Sequence, residues 1–236
     1  RLQVVGVNHK QAPVEIRERL TSPVEKLPSR LSSITQGNKR IREVVMLSTC
    51  NRTEIYTVSS HDASVTEYVT RMMSDWSGIP VAKLEQHLRL LVGEEAVRHL
   101  IAVTSGLDSL VVGEQQIQDQ VKEASKLAGQ AGTSGRLLSE LFQYAHRAAT
   151  SIRKQTNLGL ERPSVGSAAI SLLKRMSDDH PVSSILLVGA GKIVSLAAEG
   201  LSAFNKIEVW VGNRSIHRAK KLAERVGGKP LSLDRI

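Results

Sequence analysis

Two kinds of apolar pattern divide the first two thirds of the chain into strands and amphipathic helices. Short, β-branched runs bounded by turn residues predict strands, and apolar residues three and four positions apart predict helices with one packed face. The predicted strands are residues 2–7, 43–47 and 54–58. The predicted helices are residues 14–20, 23–37, 64–77, 94–104, 110–131 and 136–156. We expect this part of the chain to be an α+β domain.

A different order of elements follows a turn-rich connection at 157–163. The elements predicted there are a helix at 164–176, a strand at 184–188, a helix to residue 202, a strand at 207–211, a helix at 216–226 and the start of a strand at 230–232. The first strand is apolar throughout, which is typical of a parallel-sheet strand buried on both faces. We therefore expect an α/β chain of two domains, 1–157 and 158–236, the second an incomplete Rossmann-type dinucleotide-binding domain.

A glycine-rich turn joins the first strand of the second domain to its helix. Such a turn places backbone N–H groups and a helix N-terminus where a pyrophosphate binds. Its candidate cofactor-binding residues are Gly189, Ala190, Gly191, Lys192 and Ile193. Val194 stands where the fingerprint has a third glycine or alanine, so we expect the helix to lie slightly further from the strand.

The end of the next strand bears on the choice of nicotinamide cofactor. An acidic residue there would accept hydrogen bonds from ribose hydroxyls and repel a 2′-phosphate. This chain instead has Asn213, Arg214 and Ser215, with Arg218 one helical turn further on. Two guanidinium groups and two small hydrogen-bonding side chains favour NADPH over NADH. The alternative is that Arg214 and Arg218 belong to a solvated helix face.

Composition and charge narrow the class of protein. A single cysteine excludes an internal disulfide framework and a thiol-rich zinc site, and indicates a reducing compartment. No apolar run approaches the roughly 18 residues that cross a bilayer, and no signal peptide is visible. The chain begins at Arg1, so we expect a further N-terminal segment. The formal net charge of +9 suits a polyanionic partner, although a merely basic enzyme would carry it too.

The single cysteine lies between two predicted strands, in Leu47-Ser48-Thr49-Cys50-Asn51-Arg52-Thr53-Glu54. A lone cysteine is often a small buried hydrophobic group, but polar and charged neighbours in a tight turn argue against a dry core site. Arg52 is expected either to stabilise a thiolate or to pair with a substrate carboxylate. Glu54 is expected either to hold Arg52 or to contact an ammonium group. Cys50 is therefore a candidate nucleophile.

These and other motifs resemble the glutamyl-tRNA reductase family along essentially the whole chain. The motifs are Gly6-Val7-Asn8-His9-Lys10 with Ala12-Pro13-Val14, Ser48-Thr49-Cys50-Asn51-Arg52 with Glu54-Ile55-Tyr56, Gly106-Leu107-Asp108-Ser109-Leu110-Val111-Val112-Gly113-Glu114 with Gln116-Ile117, Thr156-Asn157, Gly189-Ala190-Gly191 and Asn213-Arg214. The cysteine and Gly113-Glu114 motifs are specific to that family, whereas the glycine turn is not. Glu161-Arg162-Pro163 departs from the small residues usual there.

The resemblance implies a reaction in two steps. Cys50, as thiolate, would attack the ester carbon that joins glutamate to the tRNA 3′ end, releasing tRNA and leaving a glutamyl thioester. Hydride from NADPH would then reduce the thioester to glutamate-1-semialdehyde, the first step of five-carbon tetrapyrrole synthesis. His99 matches the family's histidine near the nucleophile, where it would transfer a proton or orient the carbonyl. Its position beside an apolar helix face would by itself indicate a core-edge histidine.

The resemblance also implies a glutamate pocket. Arg52 is expected to hold the substrate's side-chain carboxylate, because a bidentate pair distinguishes glutamate from glutamine. The other motif positions expected to line the pocket are Thr49, Asn51, Glu54, Ser109, Glu114 and Gln116. Glu114 and Gln116 are equally well explained as polar residues favoured at a helix N-terminus.

The implied partners are glutamyl-tRNA, a second copy in a full-length homodimer, the downstream aminomutase and regulatory proteins. The implied compartment is a bacterial cytoplasm or a plastid stroma. Since the family continues into a long helix and a dimerisation domain, we expect NADPH binding and dimerisation to be impaired in these residues alone. Two alternative functions would explain some of the same sequence features. One is a non-catalytic tRNA- or partner-binding paralogue of the reductase, and the other is an NADP-dependent dehydrogenase of small acyl thioesters.

Overall fold

The computed structural model describes residues 1–60, 64–156, 158, 165–179, 182–201, 204 and 207–233. These residues form two compact units that divide between residues 160 and 161. The predicted connection at 157–163 lies, apart from residue 158, outside the described residues. None of the helices described is long and apolar enough to span a membrane.

A four-stranded antiparallel sheet, in the order β2-β3-β1-β4, forms the centre of the first unit. Its strands are β1 (Leu2–Asn8), β2 (Ile41–Ser48), β3 (Arg52–Ser59) and β4 (Arg89–Val92). Every residue of β3 is buried, so this central strand is covered on both faces. Asn8 of β1 pairs with Arg52 of β3, which places the end of β1 beside the turn between β2 and β3.

Helices cover the sheet and bury an aliphatic core against it. They are α1 (Val14–Leu20), α2 (Leu27–Gly37), α3 (Ser64–Ser77), α4 (Val81–Glu85), α5 (Glu94–Ser105), α6 (Gln116–Gln130) and α7 (Arg136–Thr156), with a 3-10 turn at Val24–Lys26. Helices α2 and α6 pack on β2, and α7 packs on β2 and β3. Phe142 of α7 meets Tyr56 of β3 edge to face, with ring centroids 5.3 Å apart.

Most predicted elements of the first unit are confirmed, and α1 and α7 have the predicted bounds. The short elements α4 and β4 were not predicted. Helix α6 begins at Gln116, six residues later than predicted, because residues 106–114 form a loop instead. Gly106 and Gly113 have φ values of 80° and 84°, a left-handed conformation that ends one helix and delays the next. We call residues 106–114 the 106–114 loop.

The second unit has a three-stranded parallel sheet in the order β5-β6-β7, the order in which a doubly wound fold begins. Its elements are α8 (Val165–Asp179), β5 (Ser184–Val188), α9 (Lys192–Gly200), β6 (Glu208–Asn213), α10 (Ile216–Val226) and β7 (Lys229–Ser232). The expectation that β5 is buried on both faces is wrong for the described residues. Leu186 and Val188 are 42% and 59% exposed, because the described helices cover only the face of Ile185 and Leu187.

Candidate functional site

Cys50 is exposed in the tight turn between β2 and β3. Thr49 closes this turn, since its Oγ1 accepts hydrogen bonds from the backbone N–H groups of Asn51 and Arg52, each at 3.1 Å. The Thr49 N–H donates in return to the Arg52 carbonyl at 2.8 Å. Thr49 is buried, so it holds the turn from the protein interior. The exposure of Cys50 rules out the alternative of a buried packing residue.

The guanidinium beside the Cys50 turn belongs to Arg17 of α1, not to Arg52. Arg17 Nη1 donates to the Cys50 carbonyl at 2.7 Å and to Asn51 Oδ1 at 3.2 Å. Its Nε donates to the Ala12 carbonyl at 3.1 Å. The predicted pocket residue Asn51 therefore has its side-chain oxygen held by Arg17. Sequence reasoning missed Arg17, because a charged residue on a short helix carries no motif that indicates this contact.

Arg52 is 1% exposed, and both of its terminal nitrogens are engaged. Nη1 donates to Glu54 Oε1 at 2.8 Å and to Asp108 Oδ2 at 3.1 Å, and Nη2 donates to the Asp108 carbonyl at 2.5 Å. Of the two expectations for Glu54, the structure shows that it holds Arg52. That Arg52 binds a substrate carboxylate stays a prediction: both terminal nitrogens already have partners in the protein, so a bidentate carboxylate would have to displace one of them.

Glu54 connects Arg52 to His99. His99 Nε2 lies 2.9 Å from Glu54 Oε1, and the Tyr56 hydroxyl donates to Glu54 Oε2 at 2.7 Å. Burial opposes ionisation of Glu54, but the hydrogen bond from His99 and the charge of Arg52 outweigh it and hold the pKa of Glu54 below its usual value. Burial and the Glu54 charge raise the pKa of Tyr56, which keeps its hydroxyl a donor. His99 is thus oriented by an ionised carboxylate.

Asp108 and the end of β1 complete the cluster around Arg52. Lys10 Nζ pairs with Asp108 Oδ1, and its backbone N–H donates to Asn8 Oδ1 at 2.8 Å. Burial opposes ionisation of Asp108, but Lys10 and Arg52 hold the pKa of Asp108 below its usual value. Burial and the Arg52 charge lower the pKa of His9, so its imidazole is neutral at neutral pH. Motifs contained these residues, but sequence reasoning gave them no role.

The remaining predicted pocket residues lie on or after the 106–114 loop. Ser109 is buried directly after Asp108, and no described residue bonds to its Oγ. Glu114 is half-buried, and its carbonyl accepts from Arg153 Nη2 at 2.5 Å. Gln116 is exposed at the first position of α6. This position agrees with the alternative explanation of Gln116 as a polar residue at a helix N-terminus. The structure therefore brings Ser109 close to the Arg52 cluster and leaves Gln116 at the surface.

The glycine turn of the second unit offers an anion site of the kind predicted. Gly189 has a φ of 101°, which favours glycine, and its N–H donates to the Gly212 carbonyl at 2.7 Å. Gly191 is the N-cap of α9 and supplies no side-chain cap, so within the described residues no capping side chain competes with a phosphate for the first N–H groups of the helix. A Cβ on Gly191 would meet no atom within 4 Å, which leaves room for a ligand. These residues fit a dinucleotide.

The predicted specificity residues lie at the matching end of β6. Strands β5 and β6 are parallel neighbours, so their carboxyl ends share one edge of the sheet. Asn213 Nδ2 donates to the Ser215 carbonyl at 3.1 Å, which shapes the turn into α10. Arg214 and Arg218 are exposed there. Two exposed cations therefore lie in and just after the turn that follows β6.

Comparison with known proteins covers both units. Residues 5–156 match the family model for the glutamyl-tRNAGlu reductase N-terminal domain, and residues 171–236 match the model for shikimate / quinate 5-dehydrogenase. Glutamyl-tRNA reductase of Acaryochloris marina is 37% identical over 98% of this chain and 53% of its own length. That of Geobacillus kaustophilus is 39% identical over 97% of this chain and 50% of its own length.

A solved structure is similar along almost the whole chain. It is glutamyl-tRNA reductase from Methanopyrus kandleri, with 31% identity, a TM-score of 0.59, and coverage of 99% of this chain and 54% of that one. The chain spans about half the length of the curated relatives that it matches.

Proposed function

Because the chain belongs to the glutamyl-tRNA reductase family, we propose that it takes the glutamyl group of glutamyl-tRNA onto Cys50 and reduces it to glutamate-1-semialdehyde. The observation that carries this proposal is the exposed Cys50 in a turn that is fixed by Thr49 and Arg17 rather than by the thiol itself. A nucleophile of this kind is free to approach a large substrate. The protein is accordingly proposed to be an oxidoreductase of tetrapyrrole synthesis.

In the first step the Cys50 thiolate attacks the ester carbonyl carbon. A carbon–sulfur bond forms, the carbon–oxygen bond to the terminal ribose breaks, and the ribose oxygen leaves with a proton as free tRNA. NADPH, which the glycine turn at residues 189–193 would hold, would supply the hydride that reduces the thioester carbon, and the Cys50 thiolate would be the leaving group as the aldehyde forms. A thiol suits both steps, because thiolate is nucleophilic near neutral pH and a thioester accepts hydride more readily than an oxygen ester does.

His99 is proposed to serve this chemistry by proton transfer or by orienting the carbonyl. Its Nε2 is held by Glu54 at 2.9 Å, so Nδ1 is the nitrogen that we propose for contact with a substrate. Glu54 remains ionised at neutral pH because its pKa is lowered, so it keeps a proton on Nε2. Glu54 and Tyr56 therefore act as positioning residues for His99.

The proposal of a polyanionic partner has support from a basic cleft in the first unit. A cleft of about 390 Å³ between α6 and α7 is lined by Lys122, Lys126 and Arg147 together with Phe142 and neutral polar side chains, and Lys126 also pairs with Glu123 at 3.4 Å. Phosphate groups of RNA are the ligands that such cations favour. The homodimer, the aminomutase and regulatory partners, and the bacterial or plastid compartment stay predictions.

The experiment that tests the function follows the glutamyl group. The chain is incubated with glutamate-labelled glutamyl-tRNA without NADPH, and label retained on protein is tested for release by hydroxylamine and mapped to the peptide that contains Cys50. We expect hydroxylamine-sensitive label at Cys50. No protein-bound label would favour the non-catalytic paralogue, and equal labelling by free glutamyl thioesters would favour a small-molecule dehydrogenase.

Cofactor choice gives a separate prediction, that Arg214→Glu weakens NADPH binding about ten-fold or more and NADH binding much less. The exposed guanidinium lies at the end of β6, where a 2′-phosphate would reach it, and a carboxylate there would repel that phosphate. Fluorescence titration of both nucleotides measures the effect. Lys220→Glu, an exposed charge reversal further along α10, is the control. An equal loss for both nucleotides in Arg214→Glu would remove this assignment.

A further inference from the structure

Both terminal nitrogens of Arg52 already donate hydrogen bonds within the protein, and both N–H groups of Nη1 are used, so a bidentate substrate carboxylate would have to replace a partner. Its Nη1 serves Glu54 and Asp108, and its Nη2 serves the Asp108 carbonyl. The guanidinium is 1% exposed, so water does not compete for these bonds. One buried cation already balances two carboxylates with the help of Lys10. A third carboxylate at Arg52 would be unpaired, and a buried unpaired charge is costly.

The two acidic partners differ in how easily each can leave. Glu54 is buried in the middle of the sheet, and its oxygens also bind His99 and Tyr56. Asp108 lies at the edge of the cluster, and its other oxygen already binds Lys10, whose side chain is 55% exposed. Displaced from Arg52, Asp108 would keep a cation and gain water. Asp108 is therefore the partner that a substrate can replace.

The 106–114 loop that carries Asp108 is held mainly by polar contacts. Leu107, Leu110 and Val112 are 48%, 59% and 57% exposed, so these side chains add little apolar burial. Arg153 holds the far end of the loop through the Gly113 carbonyl at 2.8 Å and the Glu114 carbonyl. Segments with few buried apolar contacts open at low free-energy cost. The bonds of Asp108 to Arg52 are thus a main attachment of the loop.

We propose that Asp108 is an internal carboxylate that occupies Arg52 until the side-chain carboxylate of the substrate displaces it, with outward movement of the 106–114 loop. This inference rests on the proposed function, because it takes the glutamyl side chain as the displacing group. Asp108 then determines specificity. A glutamine side chain has no charge to exchange for that of Asp108, so a neutral amide leaves the Arg52–Asp108 pair in place.

Glutarate is the probe, because it offers the carboxylate without the tRNA. We expect Asp108→Asn to bind glutarate about ten-fold more tightly than the unmodified chain in calorimetric titration, since the internal competitor is removed. Asp119→Asn, which neutralises an exposed aspartate on α6, should leave the affinity unchanged. Glutaramide, the uncharged match, should bind neither form well. Unchanged or weaker glutarate binding by folded Asp108→Asn would overturn the proposal.

Hydrogen exchange tests the same displacement in the unmodified chain, whether or not Asp108→Asn folds. The Gly113 N–H donates to the Gly106 carbonyl at 2.9 Å, and the Glu114 N–H donates to the Val111 carbonyl at 3.1 Å. We expect glutarate to speed exchange of these two amides, because the proposed outward movement opens the loop itself and breaks these bonds within it, whereas most ligands slow exchange where they bind. Unchanged or slower exchange at saturating glutarate contradicts the loop movement. Glutarate binding needs no reaction at Cys50. If no acyl label formed on Cys50, only the proposed function would be overturned, and the displacement of Asp108 would still be tested by glutarate.

Discussion

Cys50→Ser is expected to lose the hydroxylamine-sensitive label and to slow reduction of glutamyl-tRNA by at least about a thousand-fold, or about 4 kcal/mol in activation free energy. A serine hydroxyl keeps the size of the thiol but is hardly ionised at neutral pH, so it cannot replace a thiolate nucleophile. Single-turnover acyl transfer and steady-state semialdehyde formation measure the two effects.

The fold of Cys50→Ser should be unchanged, which makes the loss of activity interpretable. The turn is held by the Thr49 hydroxyl and by Arg17 on the Cys50 carbonyl, and neither contact uses the sulfur. The side chain is exposed, and surface substitutions of this kind usually alter stability by less than about 0.5 kcal/mol. Thermal melting of both forms provides the check. Label on the serine variant, or less than a ten-fold loss of rate, would place the nucleophile elsewhere.

Arg52→Met is expected to have the largest effect on stability, lowering the free energy of unfolding of the first unit by about 3–5 kcal/mol. Methionine fills much of the space of the buried guanidinium stem but leaves Glu54 and Asp108 facing each other without their shared cation. The melting temperature should fall by roughly 10 °C. Urea unfolding followed by circular dichroism measures the loss.

Arg98→Met is the matched control for Arg52→Met. Arg98 pairs with Glu94 at 2.6 Å, but both side chains are more than three-quarters exposed, and such surface pairs contribute little. If Arg98→Met lost as much stability as Arg52→Met, burial of the charge cluster would not be the cause. If Arg52→Met kept full stability, the two carboxylates would have to be neutral in the folded protein.

The pH dependence of Arg52→Met has a definite sign. The pKa values of Glu54 and Asp108 lie below their usual range, so the stabilisation is present above about pH 4 and is lost as pH falls through the lowered values. The loss of unfolding free energy in Arg52→Met should therefore be greatest at neutral pH. It should shrink in acid, where Glu54 and Asp108 take up protons in both the unmodified chain and the variant.

Elements with a long, regular pattern were predictable from local sequence. Helix α7 has apolar residues at helical spacing throughout, and its predicted bounds hold. The short elements α4 and β4 were missed, because four or five residues show too little periodicity to separate a helix from a strand. The beginning of α6 was misplaced because the apolar residues of the 106–114 loop imitate a helix, although three of them are exposed.

In the candidate site, too, features formed by neighbouring residues were predictable and contacts between distant residues were not. Its nucleophile was found because Cys50 and its polar neighbours are contiguous in the chain. The pairing of Glu54 with Arg52, two residues away, was also anticipated, whereas the role of Asp108 was not, because Arg52 and Asp108 are 56 residues apart, and Lys10 and Asp108 are 98 residues apart. The sequence also did not show that Arg52 is buried, and a guanidinium surrounded by the sheet takes acidic partners from the protein itself.

By itself, the sequence determined the strands other than β4, the long helices apart from the beginning of α6, the glycine turn with its parallel sheet, and a cysteine in a polar turn between two strands. These features depend on periodicity and on residues within a few positions of one another. Only the tertiary structure decided that Arg17 holds the Cys50 turn, that Glu54 orients His99, and that Asp108 occupies Arg52. Such contacts depend on strand register and on helix packing, which bring distant charges together in a place that water does not reach.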